Sequence, residues 1–123
     1  MEEQTKIQFY SPTEEKLNIW SHAVGIFLSI IALVLLIVKA VEQNNVWMMV
    51  SFPIFGISLI VLYLASTLYH ASKHPEKRFK LKIFDHAAIY VLIAGTYTPF
   101  TLVSLNGEIG WFIFSVVWAI AFA

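Results

Sequence analysis

The sequence contains no cysteine and few charged residues, and both shortages limit the class of protein. Without cysteine there is no disulfide framework, no thiolate metal site and no thiol nucleophile. Charged residues make up 13% of the 123 residues, well below the ~25% typical of a soluble domain, whereas hydrophobic residues make up 59%. The formal net charge is zero, so the chain also lacks the basic excess of nucleic-acid-binding proteins, and we expect no nucleic-acid partner. This composition indicates a membrane protein whose partners are lipids.

Long uncharged runs predict a bundle of transmembrane helices. About 20 apolar residues cross a hydrocarbon core of about 30 Å as a helix, because every backbone amide must be satisfied internally. We therefore predict one all-α, polytopic transmembrane helix bundle over residues 1–123. It has three full spans and a truncated fourth, at about 18–40, 46–70, 84–104 and 109–123. Because the fourth run is only fifteen residues long and stops at the C-terminus with no charge or loop after it, we expect the chain to be part of a longer protein.

The first span is expected to be a retained helix and not a cleaved signal peptide. Residues 1–16 hold four glutamates against two lysines, which is the opposite of a positive leader region. Within the second span, Pro53 and Gly56 predict a kink or a close helix contact.

Basic residues concentrate on one side of the predicted topology. Five of the eight lysine and arginine residues lie between Lys73 and Lys82, and two more precede the first span. The positive-inside rule then places the N-terminus and the second loop in the cytoplasm and the first and third loops outside. We interpret the run from Lys73 to Lys82 as a loop that anchors this topology, with attraction to anionic lipid as a secondary effect. The expected location is the cell membrane.

Ionisable and hydroxyl side chains share one depth in this topology, at the cytoplasmic ends of the three spans. His22 lies in the first turns of span one, Ser66 and His70 in the last turns of span two, and Asp85 in the first turn of span three. Helical periodicity places the polar and small residues of each span on one face of that helix, which should point towards protein. The three predicted polar faces are Glu15, Asn18, His22, Gly25 and Ser29; Tyr63, Ser66 and His70; and Asp85 with Leu92 and Thr96.

His70 and Asp85 are the candidate chemical residues. The functional interpretation of His70 is a zinc ligand through a neutral imidazole, with Ser66 one turn earlier holding the ring. The alternative is a histidine that only meets lipid headgroups. Asp85 either orients and deprotonates a zinc-bound water or caps the N-terminus of its own helix. His86 points about 100° away from Asp85 and is interpreted as an outer or interface residue.

Three short motifs, in this order along the chain, resemble a known family. They are E-x-x-N-x-x-x-H at Glu15, Asn18 and His22, S-x-x-x-H at Ser66 and His70, and DHAAIYVLIAGTYTP from Asp85 to Pro99. Together they are similar to the hemolysin III branch of the progestin and adipoQ receptor family, and the similarity extends over essentially the whole chain.

The resemblance implies the N-terminal portion of a seven-helix membrane protein with a cytoplasmic N-terminus and a zinc ion near the cytoplasmic side. It implies that His70 is a direct zinc ligand and that Asp85 contacts the metal through a water. Two further ligands would come from an H-x-x-x-H pair on the seventh helix, which this sequence does not contain. The resemblance gives Glu15, Asn18 and His22 a structural or substrate-positioning role; the alternative is a solvated helix face.

Three functions are consistent with these motifs. The first is a zinc-dependent intramembrane hydrolase of a lipid amide or ester, ceramide-like by analogy with receptor-branch relatives, with Asp85 and Ser66 as catalytic residues. The second is a membrane-disrupting cytolysin, which has little physical support because the spans offer no continuous polar lining. The third is a receptor that binds lipid in the same chamber without reacting. The oligomeric state is left open.

Overall fold

The computed structural model describes residues 9–123, and every regular element within them is helical. The elements are α1 (Pro12–Glu42), α2 (Val46–Ala71), α3 (Pro75–Pro99), a π-helical segment (Phe100–Ser104) that continues α3, and α4 (Glu108–Phe122). Three helical stretches in this range, namely α1, α2 and α3 with its π-helical extension, are long and apolar enough to cross a membrane. The predicted all-α, multi-pass architecture is confirmed. The first eight residues, which carry part of the charge comparison before span one, lie outside the described residues.

The start of α1 is fixed by a capping box. Ser11 accepts a hydrogen bond from the backbone N–H of Glu14 at 3.2 Å, and the Glu14 carboxylate accepts from the backbone N–H of Ser11 at 3.3 Å. Pro12 occupies the first turn, where its missing N–H costs nothing. The cap therefore fixes the first turn of α1, from which the side chain of Glu15 projects.

Small side chains line the contacts between the three long helices. With no hydrophobic drive between helices in lipid, close backbone approach supplies the packing energy. Gly56 shows this contact: a Cβ there would lie 2.7 Å from Leu33 Cδ1, and α2 continues without interruption through Pro53. The close contact predicted around these two residues is confirmed. The buried small residues are Ser29 and Ala40 on α1, Ser51, Gly56, Ser58, Ala65 and Ser66 on α2, and Ala88, Ala94 and Gly95 on α3.

Helix α3 begins at Pro75, well before the third predicted span. The basic run from Lys73 to Lys82 is therefore mostly helix, and the prediction of a loop there was wrong. Asp85 lies ten residues after Pro75, which is about 15 Å along the helix axis. The alternative that Asp85 caps this helix is excluded, because the free backbone N–H groups of a helix lie in its first turn.

Helix α4 folds back along α3, and two of its contacts are specific. The indole Nε1–H of Trp118 donates to Thr98 Oγ1 at 3.0 Å. Gly110 packs against the backbone carbonyl of Thr101 so closely that a Cβ would collide with it. The far end of α4 shares a cavity with His86 and Tyr90 of α3, so α4 returns towards the end of the bundle where α1 begins.

Candidate functional site at the polar end of the bundle

The beginning of α1, the end of α2 and the first half of α3 meet at one end of the bundle, which we call the polar end. Its ionisable and hydroxyl side chains include those of Glu15, His22, Ser66, His70, Arg78 and Asp85. A cavity of about 320 Å³ is lined by His22, Ser66, His70 and Asp85 together with Leu62, Tyr63 and Ile89. The structure thus brings four of the predicted site residues, from three helices, to a single cavity.

Glu15 is the centre of a hydrogen-bond network. Its Oε2 lies 3.1 Å from Nδ1 of His70, and its Oε1 accepts from Nη2 of Arg78 at 2.5 Å. The same Oε1 also accepts from the backbone N–H of Tyr10 at 3.0 Å. The alternative that Glu15 belongs to a solvated polar face is wrong, because both carboxylate oxygens have protein partners. The resemblance gave Glu15 only a supporting role, and the structure adds direct contact with His70.

Arg78 is fully buried, and sequence reasoning placed it within an exposed basic run. Its Nη1 donates to the carbonyl oxygens of Tyr69 at 3.0 Å and Ser72 at 3.2 Å, at the end of α2. The guanidinium also lies 4.5 Å from the ring centroids of Phe9 and Tyr69. The sequence did carry one signal: Arg78 is the single arginine among eight basic residues. Arginine is the residue suited to buried, multiply bonded sites.

Ser66 contacts a different histidine from the one expected. Its hydroxyl forms a hydrogen bond with Nδ1 of His22, and Glu15 instead holds the ring of His70. The expectation that Ser66 holds the His70 ring was therefore wrong. The two imidazole rings remain neighbours, with centroids 5.9 Å apart and nearly perpendicular planes.

Burial tests the predicted polar faces. On α1, the face from Glu15 to Ser29 is turned inward: Glu15, Asn18, His22 and Gly25 are half-buried and Ser29 is buried. On α2, Ser66 is buried and Tyr63 and His70 are half-buried.

On α3 the predicted polar face was wrong at one position. Asp85 and Leu92 are half-buried as expected, but Thr96 is exposed and its hydroxyl bonds the carbonyl of Leu92 at 2.8 Å. Gly95 is the buried residue one turn after Leu92, because a helix of 3.6 residues per turn alternates steps of three and four. His86 is exposed and contacts the carbonyl of Lys82, in keeping with its expected place outside the site.

The described residues supply part of a metal site. Within residues 9–123, no three histidine, cysteine, aspartate or glutamate side chains form a group that could hold a metal ion. His70 nevertheless has the arrangement common around metal-bound histidines: a carboxylate holds one ring nitrogen. The other nitrogen, Nε2, has no hydrogen-bond partner in the part of the chain that the structure describes. A metal here would need ligands beyond His70 and Asp85.

Three apolar helices with a partly buried cluster of ionisable residues at one end define a multi-pass helical membrane protein. A family model described as haemolysin-III related matches residues 10–123. The chain therefore belongs to the haemolysin-III related family, as its motifs suggested.

Two curated relatives are similar to this chain. A "Hemolysin-3 homolog" of Bacillus subtilis (strain 168) is 50% identical over 108 residues, which are 88% of this chain and 51% of that protein. A "Hemolysin-3" of Bacillus cereus is 44% identical over 108 residues, 88% of this chain and 49% of that protein. The chain thus spans about half the length of the curated relatives it matches. No solved structure matches it.

Proposed function

We propose that the complete protein is a zinc-dependent intramembrane hydrolase that cleaves an amide or ester bond of a membrane lipid. The observation that carries this proposal is the placement of His70: its Nδ1 contacts the Glu15 carboxylate, and the same ring lines a cavity with Asp85. Carboxylate-held histidines are typical of zinc sites. The cavity lies between apolar helices, so a lipid reaches it from the bilayer.

The orientation belongs to the same proposal. The polar end carries the lysines at the start of α3, so the positive-inside rule puts this end, and the N-terminus, in the cytoplasm. The polar end then faces the inner leaflet of the cell membrane. The two ligands missing from this chain would come from a further H-x-x-x-H pair, as the resemblance to the progestin and adipoQ receptor family implies.

Four residues of the polar end have roles in hydrolysis, namely His70, Asp85, Ser66 and His22. His70 is the zinc ligand from this chain, and Asp85 positions the attacking water, takes its proton and passes that proton to the leaving nitrogen or oxygen. Bound zinc would supply Lewis acidity for the lipid carbonyl. The hydrogen-bonded pair of Ser66 and His22 forms the polar wall against which the substrate lies. Water is consumed: its hydroxyl goes to the acyl carbon, and its proton to the group released.

Metal analysis of the full-length protein with and without His70→Ala tests the proposal. We expect stoichiometric zinc in the wild type. Loss of a residue that only holds a metal ligand lowers metal affinity by about 10–100-fold. Because His70→Ala removes a ligand itself, its zinc affinity should fall by at least as much. The control is His86→Ala, because His86 is exposed and its ring bonds the carbonyl of Lys82 on its own helix. It should bind zinc as the wild type does.

Turnover then separates hydrolysis from binding. Asp85→Asn keeps the size of the side chain and removes the proton acceptor, so release of fatty acid from a ceramide-like lipid should fall by about 10²–10⁴-fold. Unchanged turnover would contradict the role of Asp85. Zinc binding without turnover in the wild type would favour a lipid receptor.

Membrane lysis is the second candidate, because the relative from Bacillus cereus is named "Hemolysin-3". A metal-free protein that permeabilises lipid vesicles, equally well with and without His70, would favour this function over hydrolysis. The described helices give lysis little support, since the buried polar and small face of α1 ends at Ser29 and the next buried residue of that helix is Ala40.

A further inference from the structure

The partners of Glu15 determine which nitrogen of neutral His70 carries the proton. An ionised carboxylate only accepts hydrogen bonds, so Nδ1 of His70 must donate to Glu15. Arg78 donates to the other carboxylate oxygen. We infer that the pair of Arg78 and Glu15 is a positioning device that fixes His70 as the Nδ1–H tautomer and leaves the Nε2 lone pair for a metal ion.

Two cavities meet at His70 and indicate where the free nitrogen lies. The larger, of about 440 Å³, is lined by His70, Glu15 and Arg78, and the smaller, of about 320 Å³, by His70 and Asp85 but by neither Glu15 nor Arg78. The Nδ1 edge of the ring faces Glu15 and therefore the larger cavity. The inference assigns the Nε2 edge to the smaller cavity, on the side of Asp85.

Arg78 couples this orientation to the helix that carries His70. One nitrogen of its guanidinium holds the carbonyls of Tyr69 and Ser72, and another holds Glu15. A planar fork with five donors can make these bonds together, whereas a lysine ammonium on a flexible stem cannot hold the same geometry. Glu15, which comes from α1, is thus fixed relative to the end of α2. The tautomer follows from these contacts alone, and its use in metal binding rests on the proposed function.

The substitution Glu15→Gln should invert the tautomer of His70. Because Arg78 only donates, the amide oxygen of the new side chain should face Arg78, and the amide NH₂ should face Nδ1 of His70. Nδ1 must then accept, and the proton moves to Nε2. We would measure this by ¹⁵N NMR of the imidazole nitrogens in mildly alkaline buffer, on histidine-labelled protein in detergent. The spectrum of His70→Gln assigns the signals.

The matched control is Glu14→Gln, which removes the same charge one residue away. Glu14 contacts the backbone of Ser11 and does not contact His70, so the tautomer should stay Nδ1–H. A wild-type His70 protonated at Nε2, or a Glu15→Gln variant that keeps Nδ1–H, would overturn the inference.

A double variant covers the case in which Glu15→Gln fails to fold. Glu15→Met with Arg78→Met removes both charges of the pair, which leaves no unpaired charge and is often tolerated. Without its acceptor, His70 should change to Nε2–H or to a mixture, and a pure Nδ1–H signal would contradict the inference.

Zinc content of the same proteins distinguishes this inference from the proposed function. If the metal role also holds, Glu15→Gln should lower zinc affinity by about 10–100-fold. Tautomer inversion in a protein that never binds zinc would support the positioning role and refute the proposed function. Tight zinc binding with an unchanged tautomer would refute only the positioning role.

Discussion

At the scale of single residues, Arg78 combines three kinds of compensation for its lost hydration. The side chain is fully buried, it contacts one carboxylate, and it donates to the carbonyls of Tyr69 and Ser72 at the end of α2. Two aromatic rings, those of Phe9 and Tyr69, lie against the guanidinium and add cation–π attraction. A buried charge needs hydrogen-bond partners to offset its lost hydration. The partners of Arg78, which lies on α3, belong to α1 and to the end of α2, so this side chain joins the three helices.

Replacing Arg78 by alanine should therefore cost far more stability than replacing a neighbouring lysine. Arg78→Ala leaves Glu15 in a largely buried place without its cation and removes the side-chain donor to the carbonyls of Tyr69 and Ser72, a loss of about 3–5 kcal/mol for a buried pair. We expect the lower end of that range, because the Glu15 side chain keeps 15% of its surface exposed. Thermal unfolding in detergent measures the difference.

Lys80→Ala is the control for Arg78→Ala. Lys80 is exposed on the same helix, and its loss should change the free energy of unfolding by no more than about 0.5 kcal/mol. Equal stability of the two variants would mean that the network around Arg78 contributes nothing.

At the scale of helices, one hydroxyl at the end of α3 bonds a side chain of α4. Thr98 is fully buried, donates to the carbonyl of Ala94 at 2.8 Å and accepts from Trp118. The wider π-helical turn follows directly after Pro99, and Gly110 lets α4 approach that turn closely. The Thr98–Trp118 bond and the Gly110 contact together join α4 to the end of α3.

The substitution Thr98→Val should loosen α4. It keeps the shape of the side chain but leaves the Trp118 indole N–H without its partner, at a cost of about 1–3 kcal/mol. Thr96→Val is a matched control, since Thr96 is exposed and bonds only the carbonyl of Leu92 on its own helix. Thermal unfolding and tryptophan fluorescence should change in the first variant and not in the second. An identical response of both would show that the Thr98 contact does not hold α4.

At the scale of the whole molecule, the two ends of the bundle differ in chemistry. One end carries the buried network and the lysines at the start of α3. The other carries the turn between α1 and α2 and a pair of indole rings, Trp47 and Trp111, with centroids 5.7 Å apart. Aromatic side chains of this kind are typical of membrane–water interfaces.

Single cysteines can test the proposed orientation, because the chain has none of its own. Gln43→Cys and Lys80→Cys place a thiol at exposed positions at opposite ends of the bundle. A membrane-impermeant maleimide applied to intact cells should label Gln43→Cys and should label Lys80→Cys only after the cells are opened. The reverse pattern would invert the orientation and place the polar end outside.

The amino-acid sequence by itself determined the number and approximate place of the long helices, since hydrocarbon admits only long apolar segments with satisfied backbones. The alternation of spans placed His22, Ser66, His70 and Asp85 at one depth, where they share a cavity, and helical periodicity identified the inward faces of α1 and α2. These features depend on local patterns, so one chain is enough to predict them.

Only the tertiary structure decided which of these residues bind one another. The sequence did not predict that α3 begins at Pro75. Hydropathy identifies the apolar part of a helix that lies in lipid, but it does not identify polar helical turns that precede that part. Burial of Arg78 was missed because a basic run looks solvated until another helix supplies a carboxylate. The pairing of Glu15 with His70 and of Ser66 with His22 depends on the rotation and relative height of separate helices, which packing fixes and no local pattern records.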